Sequence, residues 1–195
     1  MKTTKKGFTL IELIVVIAII GVLAAILVPT MLGYVRKSKI SSANSTASSV
    51  YKAINSALTE LDEEGIDIGG SYQIYWNTTK WSSSNTSTTT PGSTTTGSDK
   101  LMGAADNSTA MESLNKKTKN FFADITKVKS AGAQITDGNC VAVATATDSS
   151  YTGTYPAGIV TSDSYASYKP TTAGKFSDAA LNAAVAKAGV TSVTG

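Results

Sequence analysis

The sequence predicts an α+β fold, with a long, bent N-terminal helix packed on a small antiparallel β-sheet domain. Three observations carry this. Leu13 to Val35 is a run of 23 residues without a charge, long enough for a helix. Ala43, Ala47, Val50, Ile54, Ala57, Leu58 and Leu61 then recur at spacings of three and four, the mark of a helix buried on one side. After Gly65 the period shortens toward two, and an Asp-Gly pair (Asp137-Gly138) separates two strand-like runs.

Residues 1–7 form a short basic leader, with Lys2, Lys5 and Lys6 ahead of Gly7. The segment 8–64 is the helical region, its helix running from about Thr9 to Leu61. Its first half, 8–35, is apolar all round and suits a bilayer core of ~30 Å or the company of other helices. Arg36, Lys37 and Lys39 follow it, so positive charge flanks both ends and does not set the orientation by count. A secretory signal places its small cleavage residue after the apolar run. Here Gly7 comes before it, so a cut there removes the leader and leaves the helix on the product.

Glu12 lies inside this apolar block. A carboxylate at a membrane helix centre costs about 2.5–3.5 kcal/mol and less near an end. It therefore calls for a partner. Cleavage after Gly7 would create an α-amino group on Phe8, one helical turn away. The N-terminus of a neighbouring subunit would serve equally, and the plainer alternative is a side chain that reaches the headgroup region. Pro29 removes a helical hydrogen bond, and Gly21 weakens the helix by about 1 kcal/mol relative to alanine. The stretch between them is a candidate point of helix flexibility, or simply a fixed kink.

The half 36–64 carries the apolar stripe on one side and Ser41, Ser42, Ser45, Ser48, Ser49, Lys52 and Asn55 on the other. Gly65 is the stop signal, because acidic residues at Asp62–Glu64 oppose the helix dipole. The globular domain, 65–195, opens with the alternating aromatic strand Tyr72–Trp76. Residues 77–100 are rich in Ser and Thr and read as an exposed loop, with or without O-linked sugars. A short helix is predicted over Thr109–Lys117, and Phe121, Phe122, Ile125 and Val128 suggest a further turn. Lys116, Lys117, Lys119, Lys127 and Lys129 crowd this stretch, as a solvated face or a patch for an acidic surface. The hairpin Ala133–Thr136 and Asn139–Thr147 follows, with Cys140 as a small buried hydrophobe. Ala157–Thr161 reads as another strand. The tyrosines Tyr151, Tyr155, Tyr165 and Tyr168 read as edge packing. Ser177 caps a last helix whose stripe is Leu181, Ala184, Val185 and Ala188, with Phe176 as its staple and Gly189 as its end.

Composition excludes several functions. With no histidine and one cysteine, Ser-His-Asp and Cys-His catalysis are impossible and no internal disulfide forms. No catalytic residues, metal site or cofactor are expected. The formal charge is +3, but losing Lys2, Lys5 and Lys6 brings Lys+Arg from 17 to 14, equal to the 14 Asp+Glu. Nothing in this balance calls for nucleic acid.

The run Lys6-Gly7-Phe8-Thr9-Leu10-Ile11-Glu12-Leu13, continued through Gly21 to Pro29, resembles the processing site and membrane helix of type IV pilins and type II secretion pseudopilins. The resemblance covers about the first third of the chain. It implies cleavage between Gly7 and Phe8 by prepilin peptidase, N-methylation of Phe8, and contact of Glu12 with an adjacent subunit's N-terminus during assembly. It also implies a single-pass precursor in the cytoplasmic membrane, then a helical homo-oligomeric filament at the cell surface, built by pilus assembly machinery for adhesion or motility. Two alternatives stand beside this: a pseudopilin of a secretion or DNA-uptake machine, and a membrane-anchored enzymatic or carbohydrate-binding module. In the latter Trp76 and Trp81 would stack on sugar.

Overall fold

In a computed structural model the described residues are 7–66, 68–84, 107–170 and 175–190. The chain divides into two compact units, Met1–Ser38 and Lys39–Gly195. Helix α1, Leu10–Glu63, contributes to both and is helical without a break across Pro29.

In the first unit every described residue from Gly7 to Val35 is exposed. This helical surface is built mostly of Leu, Ile, Val and Ala, which on solvation grounds alone have no reason to face water. Thr30 donates its hydroxyl to the Leu27 carbonyl (2.8 Å), in the turn that contains the proline.

The second unit is a five-stranded antiparallel sheet with helices on both faces. The strands are β1 (Ser71–Trp76), β2 (Trp81–Ser84), β3 (Ser130–Thr136), β4 (Asn139–Ala146) and β5 (Thr152–Tyr155), in the order β2-β1-β3-β4-β5. Helix α2, Asn107–Phe121, precedes a short 3-10 turn, Ala123–Lys127, and α3, Asp178–Lys187, comes last. All seven residues of the stripe from Ala43 to Leu61 are buried. Six of them, Ala47, Val50, Ile54, Ala57, Leu58 and Leu61, join Tyr72, Ile74, Trp76, Trp81, Met111, Leu114 and the inward side chains of β3 and β4 in the main core. On the opposite face Ala142, Ala144 and Ala146 of β4 meet Phe176, Leu181, Ala184 and Val185. Strands β3 and β4, covered on both faces, are accordingly short of charge and rich in small residues. Gly132 shows why: a Cβ there would lie 2.3 Å from the Phe176 ring.

Local chemistry sets the ends. Ile66 N–H bonds the Leu61 carbonyl (3.0 Å) and Gly65 N–H the Asp62 carbonyl (2.9 Å), with Gly65 at φ +76, a Schellman closure of α1. The β3–β4 turn has Asp137 at φ +47 and Gly138 at φ +75, the two positive angles that a tight hairpin needs. Ser177 caps α3 by accepting from Ala180 N–H (3.4 Å).

Three sequence expectations need correction. Ala157–Thr161 is not a strand; the fifth strand lies earlier, at Thr152–Tyr155. The loop expected over residues 77–100 is interrupted at once by β2, whose Trp81 is fully buried, and its residues 85–100 lie outside the described residues. Phe121 is exposed rather than sharing the buried face of Ile125 and Val128.

Candidate functional site

The first candidate is the start of α1. Gly7 and Phe8 precede the helix in non-helical conformation, and both are exposed. Lys6 and the rest of the basic leader lie outside the described residues. Thr9 and Glu12 form a capping box. The Glu12 carboxylate accepts from Thr9 N–H (2.8 Å) and from the Thr9 hydroxyl (2.6 Å), while Glu12 N–H approaches Thr9 Oγ1 (3.4 Å). Within one chain, then, Glu12 already has a job: it satisfies the backbone donor that opens the helix.

The sequence expectation offered Glu12 the α-amino group that cleavage would create on Phe8, a neighbouring subunit's N-terminus, or the headgroup region. In the uncleaved chain its hydrogen bonds go to Thr9, a signal legible as Thr-x-x-Glu before an apolar run. One carboxylate has room for both roles, because two oxygens offer about four lone-pair sites and among the described residues both capping bonds fall on Oε2.

Downstream of Glu12 the surface is apolar on every side. Ile14, Ile17, Ile20, Leu23 and Leu27 are each about half exposed, as are their neighbours round the helix. A soluble monomer rarely shows a contiguous apolar patch beyond a few hundred Å². Gly21 and Gly33 have open space around them, so a side chain at either meets no obstacle within the unit.

Elsewhere the chemistry is spent on packing. Trp76 and Trp81 are buried side by side, ring centroids 5.6 Å apart, which removes them as a sugar platform. Trp76 donates to the Val128 carbonyl (3.0 Å). Cys140 is buried, and burial pushes its thiol well above the ordinary range, so it acts as a small core residue. Among the described residues no three His, Cys, Asp or Glu come together in a way that would hold a metal ion.

Polar side chains that the sequence reading left without a role turn out to tie α1 to the sheet. Asn55 accepts from Cys140 N–H (3.0 Å) and donates to the Cys140 carbonyl (3.2 Å), completing β4 as a further strand would. Asn44 accepts from Thr154 N–H (2.9 Å). No sequence signal distinguishes these asparagines from solvent-facing ones, since the partner is about a hundred residues away in the chain.

Comparison with known proteins bears on the same N-terminal segment. Residues 2–28 match the family model described as the prokaryotic N-terminal methylation motif. The type IV major fimbrial protein FimA of Dichelobacter nodosus is 43% identical over 65 residues, 33% of this chain and 42% of that protein. The type IV major pilin protein PilE1 of Neisseria gonorrhoeae is 39% identical over 87 residues, 45% of this chain and 42% of that one. The type IV major pilin protein PilA of Myxococcus xanthus is 46% identical over 57 residues, 29% of this chain and 26% of that one. The chain thus spans about two fifths of the length of the first of these relatives. No solved structure matches. The methylation-motif match carries Gly7, Phe8, Glu12 and Gly21, and the chain is similar to type IV pilins and fimbrial proteins over a third to a half of its length.

Proposed function

We propose that this chain is the structural subunit of a type IV pilus. Prepilin peptidase cuts between Gly7 and Phe8 and methylates the new Phe8 amine. The apolar helix holds the precursor in the cytoplasmic membrane, then packs against the same helix of other subunits in a surface filament serving adhesion or motility. Glu12 pairs with the amine of an incoming neighbour, and the stretch from Gly21 to Pro29 lets the helix adapt during assembly.

The observation that carries this reading is the exposed, charge-free helical surface from Leu13 to Val35 beginning five residues after an exposed Gly7–Phe8 pair. Lipid and a bundle of like helices are the two surroundings that suit it, and a processed pilin needs both in turn. The relatives named above are pilins or fimbrial proteins, which favours a surface pilus over a short pseudopilus. Electron microscopy of filaments sheared from cells, with peptide identification of their subunit, is the test. Long fibres made of this chain support the reading. Their absence from cells that make and cleave the subunit counts for the pseudopilin alternative.

A further inference from the structure

The globular unit carries opposite charge at the two ends of β3. At one end four lysines gather about Trp76. Lys119 Nζ lies 5.7 Å from the Trp76 ring centroid, Lys127 and Lys129 flank Val128, whose carbonyl takes the Trp76 N–H, and Lys80 closes the β1–β2 turn. All four are exposed, and Lys127 holds Asp124 (2.8 Å). At the other end the β3–β4 turn carries Asp137, whose N–H bonds the Gly70 carbonyl (2.8 Å), and Ile68 packs against Gly138. This brings the turn beside the loop that leaves α1, where Asp62, Glu63 and Glu64 are exposed. Lys117 answers Glu60 and Glu64 (2.8 Å each), while Asp62, Glu63 and Asp137 have no salt bridge among the described residues. β3 is seven residues long, so the two sets are separated by about 20 Å along the strand.

Resting on the filament reading above, we infer that the lysine cluster around Trp76 is a docking surface for the acidic α1–β1 end of a second copy of this chain. Two different patches on one molecule that complement each other make a heterologous, head-to-tail contact, and such a contact repeats into an open polymer rather than closing a dimer. The helices supply cohesion without direction along their apolar surface. A charged contact between globular units adds register, because the wrong stagger brings like charges together.

The test uses the full chain in cells with its own assembly machinery. One variant is Lys119→Glu with Lys129→Glu, a second is Asp62→Lys with Glu63→Lys, and a third combines all four. Sheared filament yield is the readout, and the protease resistance of processed subunit in the membrane reports folding. Each reversal alone is expected to cut yield about tenfold or more, a cost of about 1.4 kcal/mol per tenfold. The four-fold variant recovers most of it. Wild-type filaments are also expected to shed more readily in 1 M salt, where the Debye length falls to about 3 Å. Wild-type yield in both reversals, or salt-indifferent filaments together with no recovery in the combined variant, overturns the inference while leaving the pilus reading intact. A wild-type chain that is processed but forms no filament overturns the pilus reading, and this inference with it.

Discussion

Gly153 of β5 lies directly on the backbone of α1, and Gly153→Ala is the sharpest test of how the globular unit is built. A Cβ at this position would stand 2.0 Å from the Ala43 carbonyl oxygen, 2.2 Å from its carbon and 2.8 Å from Asn44 N. Backbone atoms cannot swing aside as a side-chain tip does, so β5 and α1 must separate by roughly 1 Å to restore ordinary contact distances. Such a shift breaks the Thr154 N–H to Asn44 hydrogen bond of 2.9 Å and loosens the stacked Tyr51 and Tyr155 rings, whose centroids are 3.8 Å apart. Overpacking costs about 1–3 kcal/mol, the hydrogen bond about 1 and the ring pair about 1. The expected loss is therefore about 3–5 kcal/mol. Urea unfolding of the full chain in detergent, followed by near-ultraviolet circular dichroism of the buried tryptophans, measures it. A double-mutant cycle sharpens the point: Asn44→Ala alone costs about 1 kcal/mol, but in the Gly153→Ala background it costs close to nothing, because its partner has already moved. A Gly153→Ala protein with the wild-type midpoint refutes the reasoning, as does a cycle that is fully additive.

Three further outcomes follow from single residues. Glu12→Gln keeps the capping box, since a glutamine at this position also reaches the Thr9 N–H; helix content in detergent should be unchanged while filament yield drops at least tenfold if charge pairing between subunits matters, and equal yield would assign Glu12 to capping alone. Asn55→Ala strips two bonds from the Cys140 peptide and should lower stability by about 1–3 kcal/mol in the same urea assay, with Asn55→Asp milder because it still accepts from Cys140 N–H. Asp178, at the start of α3, has its carboxyl pushed up to about 6 by burial, with nearby Lys175 opposing; its ionisation in the fold therefore costs stability, which is lost as pH rises from the ordinary carboxylate value of 3.8 through 6 and stays lost above it. Asp178→Asn should flatten that part of the stability–pH curve and gain about 1 kcal/mol at pH 7 after allowing for solvent screening and the lost helix-dipole term.

The sequence made some of this plain and hid the rest for identifiable reasons. Ala43 to Leu61 was readable because a single apolar stripe on a helix has one explanation. The hairpin at Asp137-Gly138 was readable because few residues accept two positive φ angles in a row. β2 and β5, Trp-Ser-Ser-Ser and Thr-Gly-Thr-Tyr, were hidden because neither has apolar alternation. They are edge strands held from outside: Asn115 of α2 bonds both the N–H and the carbonyl of Trp81, and Asn44 of α1 takes the N–H of Thr154. At the candidate site the residues Gly7, Phe8 and Glu12 stood out by their order alone. The capping partner Thr9 was equally visible in one turn of sequence, while the cost of a carboxylate in apolar surroundings points to a charged partner as well.

The central claim is that the leader is cut away and the apolar helix becomes the assembling end of the subunit. The most direct measurement is the intact mass of the subunit in filaments sheared from the cell surface. The account predicts a chain that begins at Phe8, carries one methyl group on its amine and extends through the globular unit. A filament subunit that still begins at Met1, or one cut beyond the apolar run so that Leu13 to Val35 is missing, would contradict it.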